Sequence, residues 1–486
     1  MGNRNMREKM EEAEQQADSR TGSATGAQEK RSGESRTDEK SRLGTAPLRG
    51  LIFSMALPTV AAQLVNLLYN IVDRIYVGHI PGEGTMALAG LGITFPVLIL
   101  ITAFSNLVGM GGSNRASIAM GRGDYDQAER ILGNCVTLIL ALSVILGAGF
   151  LAVKTPLLRI FGASETTLPY ANSYLTIYLL GTIFVMTTLG LNNFITNQGF
   201  AKTSMVTTCI GAALNIVLDP VFIFVFGMGV EGAAIATVIS QAVSALWVVL
   251  FFRGKRSVLR IRLKNLIPSR KVMGAIISLG ISPFVMSATE CLIQLTFNQG
   301  MVKYGNDLYV SLMSIMFSVN QGVWMPMQGF AQGVQPIIGY NYGAGNYRRV
   351  WKSFYTMLAV CLGFSVVIVG SVVIWPELYL GLFTTQTELI ELGRTPLRVF
   401  MFGMIFIGAQ SACQQTFLGL GQAKISVFIA MLRKVILLWP LALLLPRLWN
   451  LGVWGLYLAE PISDIISVTT CTILFFLKAR KELRES

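Results

Sequence analysis

From Leu51 onward the chain is a succession of apolar stretches near or above the roughly 20 residues that an α-helix needs to cross a bilayer. Residues 51–486 hold only 46 charged side chains, 29 basic and 17 acidic, whereas residues 1–50 alone hold 19. An ordinary soluble domain is about a quarter charged. A body with roughly a tenth cannot cover a water-facing surface of its size, so its solvent must be lipid. The stretches are continuously apolar rather than alternating, which favours helices over a β-barrel.

Twelve helical spans are expected, at about 51–78, 86–119, 125–153, 167–196, 202–226, 230–253, 271–304, 308–340, 347–375, 388–418, 423–447 and 451–478. With the N-terminus inside, inner connections and the C-terminal tail carry 19 basic residues and outer ones carry 6. Both termini are therefore expected in the cytoplasm, and the protein in the cytoplasmic membrane. Residues 1–47 hold too little apolar surface to offset the entropy of ordering and are expected to be a disordered cytoplasmic tail. That tail has no apolar core of a signal peptide.

The body repeats itself. Gly111, Gly121, Gly123 and Tyr125 recur 222 residues later as Gly333, Gly343, Gly345 and Tyr347. The same step carries Gly199, Ala201, Lys202 and Ser204 onto Gly421, Ala423, Lys424 and Ser426. Gly229, Val230 and Gly232 match Gly452, Val453 and Gly455 one residue out of step. A duplication of six spans preserves orientation, so the fold class is an all-α polytopic membrane protein of two parallel six-helix repeats. The expected units are a first lobe at 48–253, a basic cytoplasmic linker at 254–270, a second lobe at 271–480 and a cytoplasmic tail at 481–486.

Several classes drop out. Six cysteines, Cys135, Cys209, Cys291, Cys361, Cys413 and Cys471, stand singly in apolar segments and read as small packing residues. The single histidine, His79, leaves no multi-histidine metal centre and argues against a Ser-His hydrolase. No nucleotide-hydrolysis motif and no basic-aromatic groove for nucleic acid is legible, and no enzyme activity is expected.

Chemistry is therefore sought among the acids inside the spans, which are costly in lipid unless they face protein or water. Asn215 and Asp219 lie one turn apart on one helix face, and Pro220 frees a backbone carbonyl beside them. The set suits a hard cation or a proton; the competing reading is an acid that caps a proline kink. Asp73 ends a stripe with Asn66, Tyr69 and Asn70 on a helix that contains Pro58. The stripe argues for a site, while the depth of Asp73 argues for a marker of the membrane boundary. Glu290, one turn before Gln294, is either a second charged site or a tie between helices. Glu460 and Asp464 flank Pro461 and read better as partners of Arg433 or Lys434 than as a transport site. The segment Gly322 to Gly345, with Trp324, Met325, Gln328 and Gln332, suits an adaptable wall for flat or cationic organic ligands.

Together, VDRIYVG after the early Leu-Pro, the paired segments GMGGSNRASIAMGRGDY and GVQPIIGYNYGAGNY, and LNIVLDPVFIF resemble the multidrug and toxic compound extrusion (MATE) family over about 48–480. The spacing of Pro58 to Asp73 and of Asn215 to Asp219 resembles its DinF-like and MepA-like branch. The resemblance implies an antiporter, driven by proton or sodium, that exports diverse and often cationic drugs by alternating access. It implies an ion site of Asp73, Asn215, Asp219 and Thr237, cavity residues Asn66, Tyr69, Tyr174 and Asn192, and a bend at Pro58. Glu290, with Gln294 beside it, matches a second-lobe acid position of NorM-like members, although the tenth span offers only Gln410, Gln414 and Gln415 as partners. No cofactor beyond the transported ion, no resident metal beyond sodium and no obligatory protein partner is expected; the partners are the drug and the bilayer, and the protein is expected to be a monomer. The rival readings are a lipid-linked oligosaccharide or lipid flippase, which needs a cationic cavity, and a cation channel, which needs an open polar path.

Overall fold

The structure is a computed structural model that describes residues 42–483. Regular structure among the described residues is helical throughout. The helices are α1 Leu48–Gly78, α2 Gly84–Gly121, α3 Tyr125–Ile160, α4 Leu168–Leu180, α5 Thr182–Asn197, α6 Ala201–Pro220, α7 Gly229–Arg253, α8 Arg270–Tyr304 and α9 Asp307–Gly343. They continue as α10 Tyr347–Ile374, α11 Pro376–Gly381, α12 Thr387–Phe402, α13 Ile407–Gly419, α14 Ala423–Met431, α15 Trp439–Leu444 and α16 Val453–Glu482. Ten stretches are long and apolar enough to cross a bilayer, counting Thr387–Gly419 and Ala423–Leu444 as one span each. The pair α4 and α5, bent by 58°, makes an eleventh. α9, 37 residues long, falls short of that apolarity; Asn320, Gln321, Gln328, Gln332 and Gln335 make it the most amide-rich of the long helices.

The duplication is visible in the backbone. Leu48 and Arg270, Tyr125 and Tyr347, and Ala201 and Ala423 begin corresponding helices, each pair 222 residues apart. The repeated glycines explain themselves: Gly123 and Gly345 hold φ of 79° and 71°, and Gly199 and Gly421 hold 95° and 73°. Only glycine enters that left-handed region without a steric cost, so these turns retain it in both copies. The side chains that follow also correspond, since Asp124 accepts from the Gln127 amide at 2.9 Å and Asn346 from the Arg349 amide at 3.4 Å, each capping a helix.

Two large apolar cores form, and the first helix of each half belongs to both. Leu51, Ile52, Met55 and Ala56 at the start of α1 sit in the core of the second half, with Val334, Ile337 and Ile338 of α9. Val77 at its far end lies in the core of the first half. α8 mirrors this, with Val272 and Ile276 in the first core and Ile293, Phe297 and Met301 in the second. Each half thus receives the leading turns of the other's first helix.

These exchanged turns make a tight seam at the end of the bundle nearest both termini. A Cβ on Gly280 would collide with the Leu107 carbonyl, one on Gly111 with the Ile276 carbonyl, and Gly121 and Gly343 stand in the same relation to Tyr340 and Ile118. Arg115 adds a tie, donating to the Ala275 carbonyl at 2.9 Å. Residues 42–47, expected within the tail, include a helical turn hooked to the second half. Asn341 Nδ2 donates to the Leu43 carbonyl at 2.9 Å and Arg349 to the Ala46 carbonyl at 2.9 Å. The remainder of the expected tail, and residues 484–486, lie outside the described residues.

Candidate ion and ligand site

Beyond the seam the halves part around two adjoining hollows. The smaller, about 290 Å³, is walled mainly by the first half, with Asn66, Tyr69, Asn192, Asn215 and Thr237 among its residues, and by Gln332 and Gln335 of α9. The larger, about 760 Å³, lies between the halves and takes Asn106 and Arg74 from the first, and Glu290, Gln294, Trp324 and Lys434 from the second. Gln63, Asn106, Met110 and Gln332 wall both. On α8 and α9 the hollow begins past the seam, at Pro283 beyond Gly280 and at Gln332 before Tyr340 and Gly343, so the seam stands between it and the termini and closes it on that side. Its other end runs to Arg74 and Gly92, both exposed.

The structure brings the four expected ion-site residues together. Asn215 Nδ2 donates to Asp219 Oδ1 at 3.1 Å and to Thr237 Oγ1 at 3.3 Å. Asp219 and Pro220 end α6, and the π-helical turn Val221–Val225 follows them, so the carboxyl sits where the helix widens. Asp73 and Asp219 are both buried and face each other within hydrogen-bonding reach. Two ionised carboxylates cannot hold that position alone; a shared proton or a cation between them removes the repulsion. Asp73 Oδ1, Asp219 Oδ2 and Asn215 Oδ1 each lack a hydrogen-bond partner among the described residues. Buried hard oxygens of this kind match a proton or a small hard cation in charge and in donor type.

Two cavity expectations shift in detail. Tyr174 is buried beside the acids, hydrogen-bonds Thr237 and stacks on Tyr178 at 6.2 Å, so it braces the site from behind instead of walling the hollow. The 58° bend between α4 and α5, at Gly181, explains this, because a continuous 167–196 helix would not turn α4 back against α7. Asn70 leaves the stripe of Asn66, Tyr69 and Asp73: it is exposed, and its Nδ2 returns to the Asn66 carbonyl at 2.6 Å. Pro58 is buried, and the neighbouring Thr59 hydroxyl donates to the Gly329 carbonyl at 2.6 Å. The Pro58 turn of α1 is thereby tied to α9.

In the second half the acids are paired. Glu290 Oε2 lies 2.9 Å from Lys434 Nζ. Arg433 lies 2.7 Å from Asp464 and 3.3 Å from Glu460, and its guanidinium sits 5.3 Å from the centre of the Trp324 ring. Both cations stand in the π-helical segment Leu432–Leu438, where the wider turn admits them among apolar neighbours. Glu290 thus links α8 to the segment Leu432–Leu438 while it lines the larger hollow, and Gln294 hydrogen-bonds it. Replacing Arg433 by Met leaves Glu460 and Asp464 buried without their cation. The expected loss of stability is about 3–5 kcal/mol, read from detergent-solubilised thermal unfolding.

The arrangement defines a class: an all-helical polytopic membrane protein of two parallel repeats that enclose a polar hollow with an acid pair on one wall. A model of the MatE family matches residues 58–221 and 283–444, one stretch in each half. The chain belongs to that family, the multidrug and toxic compound extrusion proteins. It is 26% identical over 439 residues to the multidrug export protein MepA of Staphylococcus aureus (strain NCTC 8325 / PS 47), covering 90% of this chain and 95% of the relative. It is 27% identical over 421 residues to MepA of Staphylococcus haemolyticus (strain JCSC1435), covering 85% and 91%. A solved outward-facing conformation of a multidrug resistance MATE family transporter of the MOP superfamily shares its fold, with a TM-score of 0.84 at 21% identity over 92% of this chain and 98% of that one.

Proposed function

We propose that this chain is an antiporter that exports diverse, often cationic, organic compounds across the cytoplasmic membrane by alternating access, coupled to the entry of protons or sodium. The observation that carries the reading is the apposition of Asp73 and Asp219 beside the first-half hollow. Both termini lie in the cytoplasm, and the protein acts as a monomer of two lobes, 48–253 and 271–480, joined by the linker 254–270. The hollow closed toward the termini then corresponds to the outward-open state.

In that state ions entering from outside load Asp73 and Asp219, with Asn215 and Thr237 orienting them. Loading removes the repulsion between the acids and favours a packing in which α1 bends at Pro58, the first-half hollow shrinks and the drug leaves from among Asn66, Tyr69 and Asn192. Return to the inward-facing state releases the ion. The ion couples to the drug because it changes which packing is favoured, the requirement for any ligand-driven switch. The closed seam speaks against a channel, and the commitment of Arg433 and Lys434 to carboxylates speaks against a cationic pyrophosphate cavity.

The test is ethidium efflux from vesicles that carry the purified protein, under a proton gradient and a sodium gradient imposed separately. Efflux that follows one of them is expected; efflux indifferent to both would overturn the proposal.

A further inference from the structure

Residues 254–269, between α7 and α8, are strapped to the first half along their whole length. Gln198 Oε1 accepts from the Val258 and Leu259 amides at 2.8 and 2.9 Å and from the Ser257 hydroxyl at 3.1 Å. Glu129 accepts from the Arg260 amide and pairs with Arg262 at 2.8 Å. Thr137 Oγ1 donates to the Leu266 carbonyl at 2.7 Å, and Asn134 Oδ1 accepts from the Ser269 amide at 2.8 Å. Val258 and Leu259 are buried by this strapping, yet Leu263 is 85% exposed and Ile267 71% exposed.

Two further observations say what covers them. The stretch Arg253 to Lys271 holds eight basic residues and no acidic one. Among the described residues only Arg262 of these is in an ion pair. Depth is the second. Leu266 is bonded to Thr137, and the outward apolar face of α3 begins at Leu140, about 4.5 Å further along the helix axis, and continues through Val144 and Ile145. On α7 the exposed residues Trp247 and Leu250 give way to Arg253 and Lys255 at the same end of the bundle. The exposed Leu and Ile therefore sit at the edge of the lipid-facing band, within a ring of cations.

We propose that residues 253–271 are an interfacial anchor that docks on the anionic phospholipid headgroups of the leaflet nearest the termini, with Leu263 and Ile267 entering the acyl boundary. Amphipathic segments of this make bind anionic bilayers through buried apolar area and through cation–headgroup attraction together. Because the anchor is strapped to α3 and α5, it holds the first half at a fixed height in the leaflet. Bilayer charge thereby becomes a property that this protein reads.

The test uses the full chain in vesicles and needs no transport, so it stands or falls apart from the antiport reading. Leu263→Trp and Ile267→Trp are reconstituted separately, with wild-type emission subtracted for the native tryptophans. The probes are phosphatidylglycerol and phosphatidylcholine with brominated acyl chains, each as a minority component in phosphatidylcholine. The added tryptophan should be quenched at least about threefold more by brominated phosphatidylglycerol, and that preference should vanish in Lys255→Gln/Arg256→Gln/Lys264→Gln or in about 0.5 M salt. No quenching by either lipid in both variants places the segment in water or on protein and overturns the proposal. Equal quenching by the two lipids overturns the headgroup assignment. Both sites are exposed, so neither substitution removes a packing contact on which folding depends.

Discussion

Asp73→Asn and Asp219→Asn, reconstituted one at a time, should each lose gradient-driven efflux by about two orders of magnitude while still binding ethidium. The size follows from what a coupling ion has to do. Driving a two-state protein from 1:99 to 99:1 takes a preference of about 10⁴ for one state. An amide in place of either carboxylate removes both the charge that the ion neutralises and the repulsion that its arrival relieves. Fold stability should hold or rise, because Asp73 and Asp219 are buried like-charged neighbours and deleting one ends their conflict. That separates a transport defect from a folding defect. Thermal unfolding and equilibrium ethidium binding check the controls, and undiminished efflux in both variants would remove the acid pair from the mechanism.

The second large effect is expected at the seam. Gly280→Ala places a methyl group against the Leu107 carbonyl, and Gly121→Ala places one against the Tyr340 carbonyl. Backbone cannot step aside as a side chain can, so each should cost about 1–3 kcal/mol and force the halves apart at the end nearest the termini. The readout is maleimide labelling of Ser117→Cys, a buried position whose hydroxyl now donates to the Pro336 carbonyl at 3.1 Å across the seam. Labelling from that side should rise several-fold. Gly274→Ala on the same α8 is the control: a Cβ there meets nothing within 4 Å, and the gain in helix propensity predicts no loss of stability. If Gly280→Ala behaved like Gly274→Ala, the seam would not be the element that closes the hollow.

The apolar spans and the shared face of Asn215 and Asp219 were legible in the residues because each rests on a short-range rule, whereas the residues alone left Asp73 open and only the family resemblance joined it to Asp219. Asn215 and Asp219 share a face by helical spacing, and the repeated glycines mark turns and crossings that no other residue tolerates. What escaped depends on long-range placement. Lys434 is 144 residues from Glu290 in sequence, and nothing local distinguishes a charged tie from a charged site. The basic linker reads in sequence only as a connection between the halves because its anchors, Gln198, Glu129 and Asn134, stand elsewhere in the chain and look like ordinary amides and acids there. The break at Gly181 went unread for a similar reason. Its space is occupied by Val238 of α7, a neighbour that only the folded chain supplies.

The exchange of leading turns between α1 and α8 bears on how such a molecule could arise. An ancestral unit of six spans would have left its first arm without a groove and its groove without an arm, apolar surface uncovered on both sides. Two copies clasping one another satisfy both deficits at once, in the manner of a swapped dimer. Joining them into one chain would leave that clasp unchanged and free the two halves to diverge, and here the second half covers its acids with Arg433 and Lys434 while the first does not.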